Sequence, residues 1–241
     1  MRAKTNRIPI LVLTVTGATA GFVLRRWQLG RAFDAEGLVV PGSASIWLLA
    51  VFCILMAAAL ALVCSTLRRR GEYEACFSSG LPELVVSVAA ALLVLLGSAI
   101  SLMADPQGSS LVVSFLGICA ALCIAVTAAQ RYRGVMPAAV HILPCVYLVV
   151  KLIVDFKHWS VDPAVLDYCF ELFAAISFMC AVYHLGGFCF QKGKRRMSAF
   201  WCLVGILFAA ISLADGGLAH SFLVGGMGLW VGINGWQLLE D

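Results

Sequence analysis

Apolar residues gather along this chain into eight stretches, most of them about 20 residues long, separated by short polar links. An α-helix rises ~1.5 Å per residue and a bilayer's hydrocarbon core is ~30 Å thick, so ~20 apolar residues span it. The pattern predicts spans at 8–24, 44–67, 82–103, 110–130, 135–156, 164–190, 198–214 and 218–238. In lipid each backbone group has to be satisfied within its own segment, so these runs are predicted to be helices. The period-two alternation of a membrane barrel is missing. Punctuation agrees with the spans. Pro82 precedes Glu83 at the third start, Pro137 opens the fifth, and Asp162-Pro163 offers a cap and a first-turn proline to the sixth. Asp105-Pro106 and Asp215-Gly216-Gly217 read as tight turns between paired helices. The expected fold class is all-α: a polytopic membrane helix bundle forming a single integral membrane domain over 1–241.

Composition strengthens this picture. Apolar residues make up 62% of the chain and charged ones 12%, against roughly 45–50% and 25% in a soluble domain. The loops are too short to hold a soluble domain, and the bilayer itself is the expected main partner. The cysteines do not suggest a disulfide scaffold. Nine lie in or beside apolar runs, where a thiol packs as a small apolar group, and Cys76 follows a basic turn. Cys119 and Cys123 share a helix face, but no third ligand lies nearby in sequence to make a metal site.

Charge sets the expected orientation. Alternate ends carry Arg2, Lys4 and Arg7, then Arg68, Arg69 and Arg70, then Arg131 and Arg133, then Lys192, Lys194, Arg195 and Arg196, which is 12 of the 17 basic residues. Basic residues stay cytoplasmic, so both termini are expected inside, in a multi-pass protein. Arg25-Arg26 lies on the wrong side and weakens the assignment of the first span. A second reading therefore stays open: residues 1–20 resemble a signal peptide ending at Ala18-Thr19-Ala20, and cleavage would leave seven spans. An internal echo is also visible. Ile100 to Asp105 (ISLMAD) closes the third span and Ile211 to Asp215 (ISLAD) the seventh. It suggests a 4+4 parallel repeat with halves 1–133 and 134–241.

The segment Phe33 to Gly42, FDAEGLVVPG, leads into the second span. It resembles a pattern in multi-span membrane proteins of anaerobic Gram-positive gut bacteria, a group with no assigned activity. That resemblance implies a bacterial plasma (inner) membrane and nothing about chemistry.

Charges inside spans are costly and usually face the protein interior with a partner. His141, Pro144, Leu148, Lys151 and Asp155 fall within roughly an 80° arc of the fifth helix, with Tyr147 at its edge. Lys151 and Asp155 are spaced for an ion pair, and the sixth helix brings Asp167 and Glu171 to a similar depth. One reading is an outward-opening path lined by His141, Tyr147, Lys151, Asp155 and Glu171 that binds a small polar solute or relays a proton. Pro144 would then loosen the helix. The other reading is purely structural: the charges snorkel to the interface and their pairing fixes helix register.

Gly225, Gly228, Gly232 and Gly235 form a smooth stripe on the eighth span, and Gly17 and Gly21 form a GxxxG pair on the first. These small faces suit packing within the chain, or contact with a second copy or a membrane partner. His220 is expected at the interface near the Asp215 turn. The basic clusters read as topology anchors that also suit anionic head groups, and they are too short for a nucleic-acid role. HExxH, a glycine-rich phosphate loop and GxSxG are all missing, and His141, His158, His184 and His220 lack metal-ligand spacing. No catalytic residue, metal or cofactor is expected. Two functions remain: transport of a small solute or proton, and a non-transporting sensor or accessory subunit.

Overall fold

A computed structural model describes residues 7–33, 40, 42–69, 71–77, 80–135, 140–159 and 165–239. Among them the chain is all-helical: α1 (Arg7–Leu29), α2 (Ala44–Ser65), α3 (Tyr73–Cys76), α4 (Leu81–Ala104), α5 (Gly108–Tyr132), α6 (Ile142–Trp159), α7 (Val165–Cys189), α8 (Arg195–Ser212) and α9 (Leu218–Leu238). Eight of these are long, and α3 is a single turn in a loop. Six helices are long and apolar enough to cross a membrane: α1, α2, α4, α5, α7 and α8. That is the build of a membrane-embedded protein. The other two long helices are interrupted by polar residues, Lys151, Asp155 and Lys157 on α6, and His220, Asn234 and Gln237 on α9.

Helices α4 to α9 close into a ring. α4 packs on α5 and α9, α9 on α8, α8 on α7, α7 on α6 and α6 on α5. The α1–α2 hairpin attaches to the outside of this ring along α8. α8 is accordingly the most enclosed span, with Ala199, Cys202, Leu207 and Ile211 all sealed. α2 is the most apolar and the least buried. Its exposed Trp47, Ile54, Leu55 and Leu62 make a surface that water would penalise and lipid accepts. In two equivalent halves α2 would meet α4 as α7 meets α8. α7 does pack closely on α8, whereas α2 packs on α1 and α8.

The closest helix approach is between α4 and α9, where two glycines interlock. A Cβ on Gly97 would lie 2.8 Å from the Leu223 nitrogen, and one on Gly226 would lie 2.8 Å from the Ala90 carbonyl. The anticipated stripe faces elsewhere. Gly228, Gly232 and Gly235 lie over Ala209, Ile206 and Cys202 of α8, while Gly225 meets open space. Gly17 faces Met56 of α2, and Gly21 sits between Ile211 of α8 and Phe52 of α2. All of these glycines except Gly225 thus meet side chains of the same chain. Gly216 and Gly217, with φ of 89° and 84°, make the α8–α9 turn in a region that side chains disfavour.

Several expected boundaries shift, each for a physical reason. α1 runs to Leu29 instead of ending at 24, because Arg25 and Gln28 find buried partners and the helix continues through them. α6 begins at Ile142, seven residues after the expected start. Pro144 is therefore its third residue, where a helix has no backbone bond for proline to break, and the expected kink does not arise. α8 begins earlier than expected, at Arg195, because buried Arg195 donates from Nε to the Leu238 carbonyl at 2.7 Å. That carbonyl belongs to the last turn of α9, one of the orphan acceptors at a helix end. Arg196 serves the Leu67 carbonyl beyond α2 in the same way. Pro137, Asp162-Pro163 and most of the FDAEGLVVPG segment lie outside the described residues.

Candidate functional site

The chain alternates direction through the ring, so the end of α6, the start of α7, the end of α8 and the start of α9 meet at one face. Their polar side chains form a connected network there. Lys151 on α6 donates to Asp155 one turn further along and, at 3.0 Å, to Glu171 Oε1 on α7. The same Glu171 oxygen lies 3.3 Å from His220 Nδ1 at the start of α9. His220 Nε2 lies 2.9 Å from Ser212 Oγ and 3.2 Å from the Ser212 carbonyl at the end of α8.

Burial is intermediate. The side chains of Lys151, Asp155, Glu171 and His220 retain 13%, 20%, 21% and 16% of their exposure. That is enough enclosure to demand partners, and too little to seal the charges from small molecules. With His220 neutral, these four side chains hold one cation and two anions. A proton on His220 brings them to balance. The local hydrogen bonding serves both states. The imidazolium form donates to Glu171 and to the Ser212 carbonyl, and the neutral form accepts from the Ser212 hydroxyl, which is free to rotate.

A second ion pair stands beside this network on the same face. Arg25 near the end of α1 is fully buried, and its Nε donates to Asp215 Oδ1 at 2.6 Å. Its Nη1 donates to Gln28, and its guanidinium lies 5.0 Å from the Phe170 ring centroid, next to Glu171 in the chain. Arg25, which sits on the wrong side for the charge rule, is thus a structural cation paired with an acid.

The expected site residues divide. Lys151, Asp155 and Glu171 come together. Tyr147 lies one turn below Lys151, sealed, with its ring near Gly117 of α5, and forms a floor beneath the cluster. His141 does not belong to the cluster. It precedes α6 at the opposite end of that helix, is buried, and has Nδ1 3.8 Å from Cys189 Sγ and its ring 6.0 Å from Trp230. The arc on the helical wheel grouped it with Lys151 because angle was considered without height: ten residues of helix separate them by ~15 Å. The Asp167 side chain lies outside the described residues. Sequence reasoning missed His220, Ser212 and the Arg25–Asp215 pair. The one available cue was that His220 follows a tight turn at the same membrane depth as the start of the sixth span.

The opposite face carries a different polar assembly. Arg131 at the end of α5 donates to Asn234 Oδ1 at 2.9 Å, Gln237 Oε1 at 3.2 Å and the Tyr73 hydroxyl at 3.1 Å. Its guanidinium lies 4.6 Å from the Phe77 ring centroid. Among the described residues no carboxylate pairs with it. In this loop, burial pushes the Tyr73 phenol and the Cys76 thiol above their ordinary values, with Arg131 and Arg195 respectively opposing the shift. All ten cysteines are unbridged, and among the described residues no group of three His, Cys, Asp or Glu side chains is placed to hold a metal ion. Comparison with protein-family models, with curated proteins and with solved structures found no match to this chain.

Proposed function

We propose that this chain is an eight-helix protein of a bacterial plasma membrane, with both termini cytoplasmic, that carries protons or a small polar solute through the network on its outer face. α6 and α9 count as spans in this reading because Lys151 and Asp155 of α6 and His220 and Asn234 of α9 are enclosed within the ring, while Ile153 and Phe156 of α6 and Leu229 of α9 are exposed to lipid. The observation that carries the proposal is the Lys151–Glu171–His220 connection. Three helices each contribute one titratable group, one carboxylate oxygen touches both bases, and the groups keep 13–21% exposure. A proton taken up by His220 changes the charge balance around Glu171, and Lys151 is then less tightly committed to it. Such competition for one carboxylate is a physical basis for coupling a proton to a second ligand.

Proteoliposomes containing a trapped pH-sensitive dye test this directly. Under an imposed potential the wild type should acidify its lumen faster than empty vesicles, and Glu171→Gln and Lys151→Met should each remove the difference. Wild-type flux equal to that of empty vesicles, from protein that stays folded and monodisperse, would defeat the proposal.

One feature favours the accessory-subunit reading as an alternative. An apolar groove of about 610 Å³ runs beside Gly225, Gly228 and Gly232 between α1, α4 and α8. In that reading a helix of a membrane partner fills it. Site-specific cross-linking from Gly225→Cys to a second polypeptide in native membranes, together with absent proton flux, would favour that role over transport.

A further inference from the structure

On the face opposite the titratable network, a cleft of about 590 Å³ opens between the start of α6, the end of α7 and the loop into α8. Its size falls in the range of small-ligand sites. Two lysines, Lys192 and Lys194, and two histidines, His141 and His184, line it, and no acidic residue is among its described lining residues. Its remaining wall is largely apolar. Ile142, Tyr183 and Phe190 stand at the edge and are 55%, 70% and 58% exposed, so the cleft opens sideways onto the surface that meets lipid. Two features of the chain shape it. Gly186 and Gly187 remove side chains from the last turns of α7. A Cβ on Gly186 would come no nearer than 3.8 Å to anything outside its own helix, the nearest atom being His141 Cβ. α7 then ends in a six-residue capping turn, with the Lys192 N–H donating to the Gly187 carbonyl at 2.9 Å. That turn holds Gln191 at φ 57°, where glycine is the usual occupant, and fixes where Lys192 leaves the helix.

We infer that this cleft binds an anionic phospholipid of the adjoining leaflet. Its phosphodiester would lie among Lys192, Lys194 and His184, and its chains would descend over Tyr183, Phe190 and Ile142. The division of the lining into a cationic end and an apolar end that opens onto lipid matches one molecule with a charged head and a greasy tail. A free polar anion would leave the apolar wall unused, and a zwitterionic lipid would bring a cation to a site that already has an excess of them. The inference needs only a lipid setting for the chain. It stands whether or not the opposite face conducts protons.

Native mass spectrometry of the full-length protein, released from micelles holding equimolar phosphatidylglycerol and phosphatidylcholine, tests it. The wild type should retain the anionic lipid preferentially. Lys192→Gln with Lys194→Gln should weaken that retention roughly thirtyfold, since each lysine near an anionic lipid contributes about fivefold. Gly186→Leu should lower it by filling the cleft while leaving every charge in place. Equal retention of both lipids by the wild type would overturn the inference, as would undiminished retention in the double lysine variant. Displacement of the bound lipid by excess inorganic phosphate at constant ionic strength would assign the cleft to a free anion instead. If the variants unfold, melting of the wild type decides: added phosphatidylglycerol should raise its Tm above that with phosphatidylcholine, and equal values would overturn the inference.

Discussion

The molecule buries arginines at both ends, and Arg25 at one end and Arg131 at the other are compensated by different means. Arg25 is matched by a charge, the Asp215 carboxylate, beside a network of further titratable groups. Arg131 is matched by dipoles and ring faces: two side-chain amides, a phenol and the Phe77 ring. Compensation by a carboxylate depends on protonation, whereas an amide oxygen accepts the same hydrogen bond at any physiological pH. The compensation at the first end can therefore change with protonation. The amide hydrogen bonds at the second do not, and with the Tyr73 bond they tie α3 and α5 to α9.

Substitutions at the two arginines should expose this contrast. Arg25→Met is expected to have the largest effect, a loss of about 3 kcal/mol, because it takes the buried guanidinium from a largely enclosed carboxylate. Thermal unfolding in detergent reads it. Adding Asp215→Asn should recover part of the loss, whereas no recovery would assign Arg25's role to packing against Phe170. Arg131→Met should cost about 2 kcal/mol, since the enclosed oxygens of Asn234 and Gln237 lose a donor. That cost should be the same in mildly acidic and neutral buffer, and a pH-dependent cost would break the comparison.

Tyr73→Phe should be the smallest effect, about 1 kcal/mol for one lost hydrogen bond. It also carries an alkaline signature. Burial raises the folded phenol above its unfolded value, so the neutral form's contribution is complete below about pH 10 and is lost as pH rises through the raised folded value. The phenylalanine variant should therefore lose less stability than wild type on going to strongly alkaline buffer. Parallel losses would mean that Tyr73 does not set that limb.

The sequence by itself determined that this is a bundle of long helices in lipid, because hydropathy and segment length depend on composition alone. It also placed Lys151, Asp155 and Glu171 at one depth on two consecutive helices. Those pairings needed only helical spacing and a short connection between the two. What it could not place was anything set by non-sequential neighbours. His220 reaches Glu171 because the ring brings α9 against α7. Arg25 reaches Asp215 across 190 residues because α1 lies along α8. The anticipated glycine stripe lies chiefly against α8, while the closest approach falls to Gly97 and Gly226, since which side of α9 faces α4 is a property of the assembled ring. Periodicity fixes angles around one helix axis. Heights and partners across helices come only from how the helices are stacked, and there the titratable network and the neutral cage both arise.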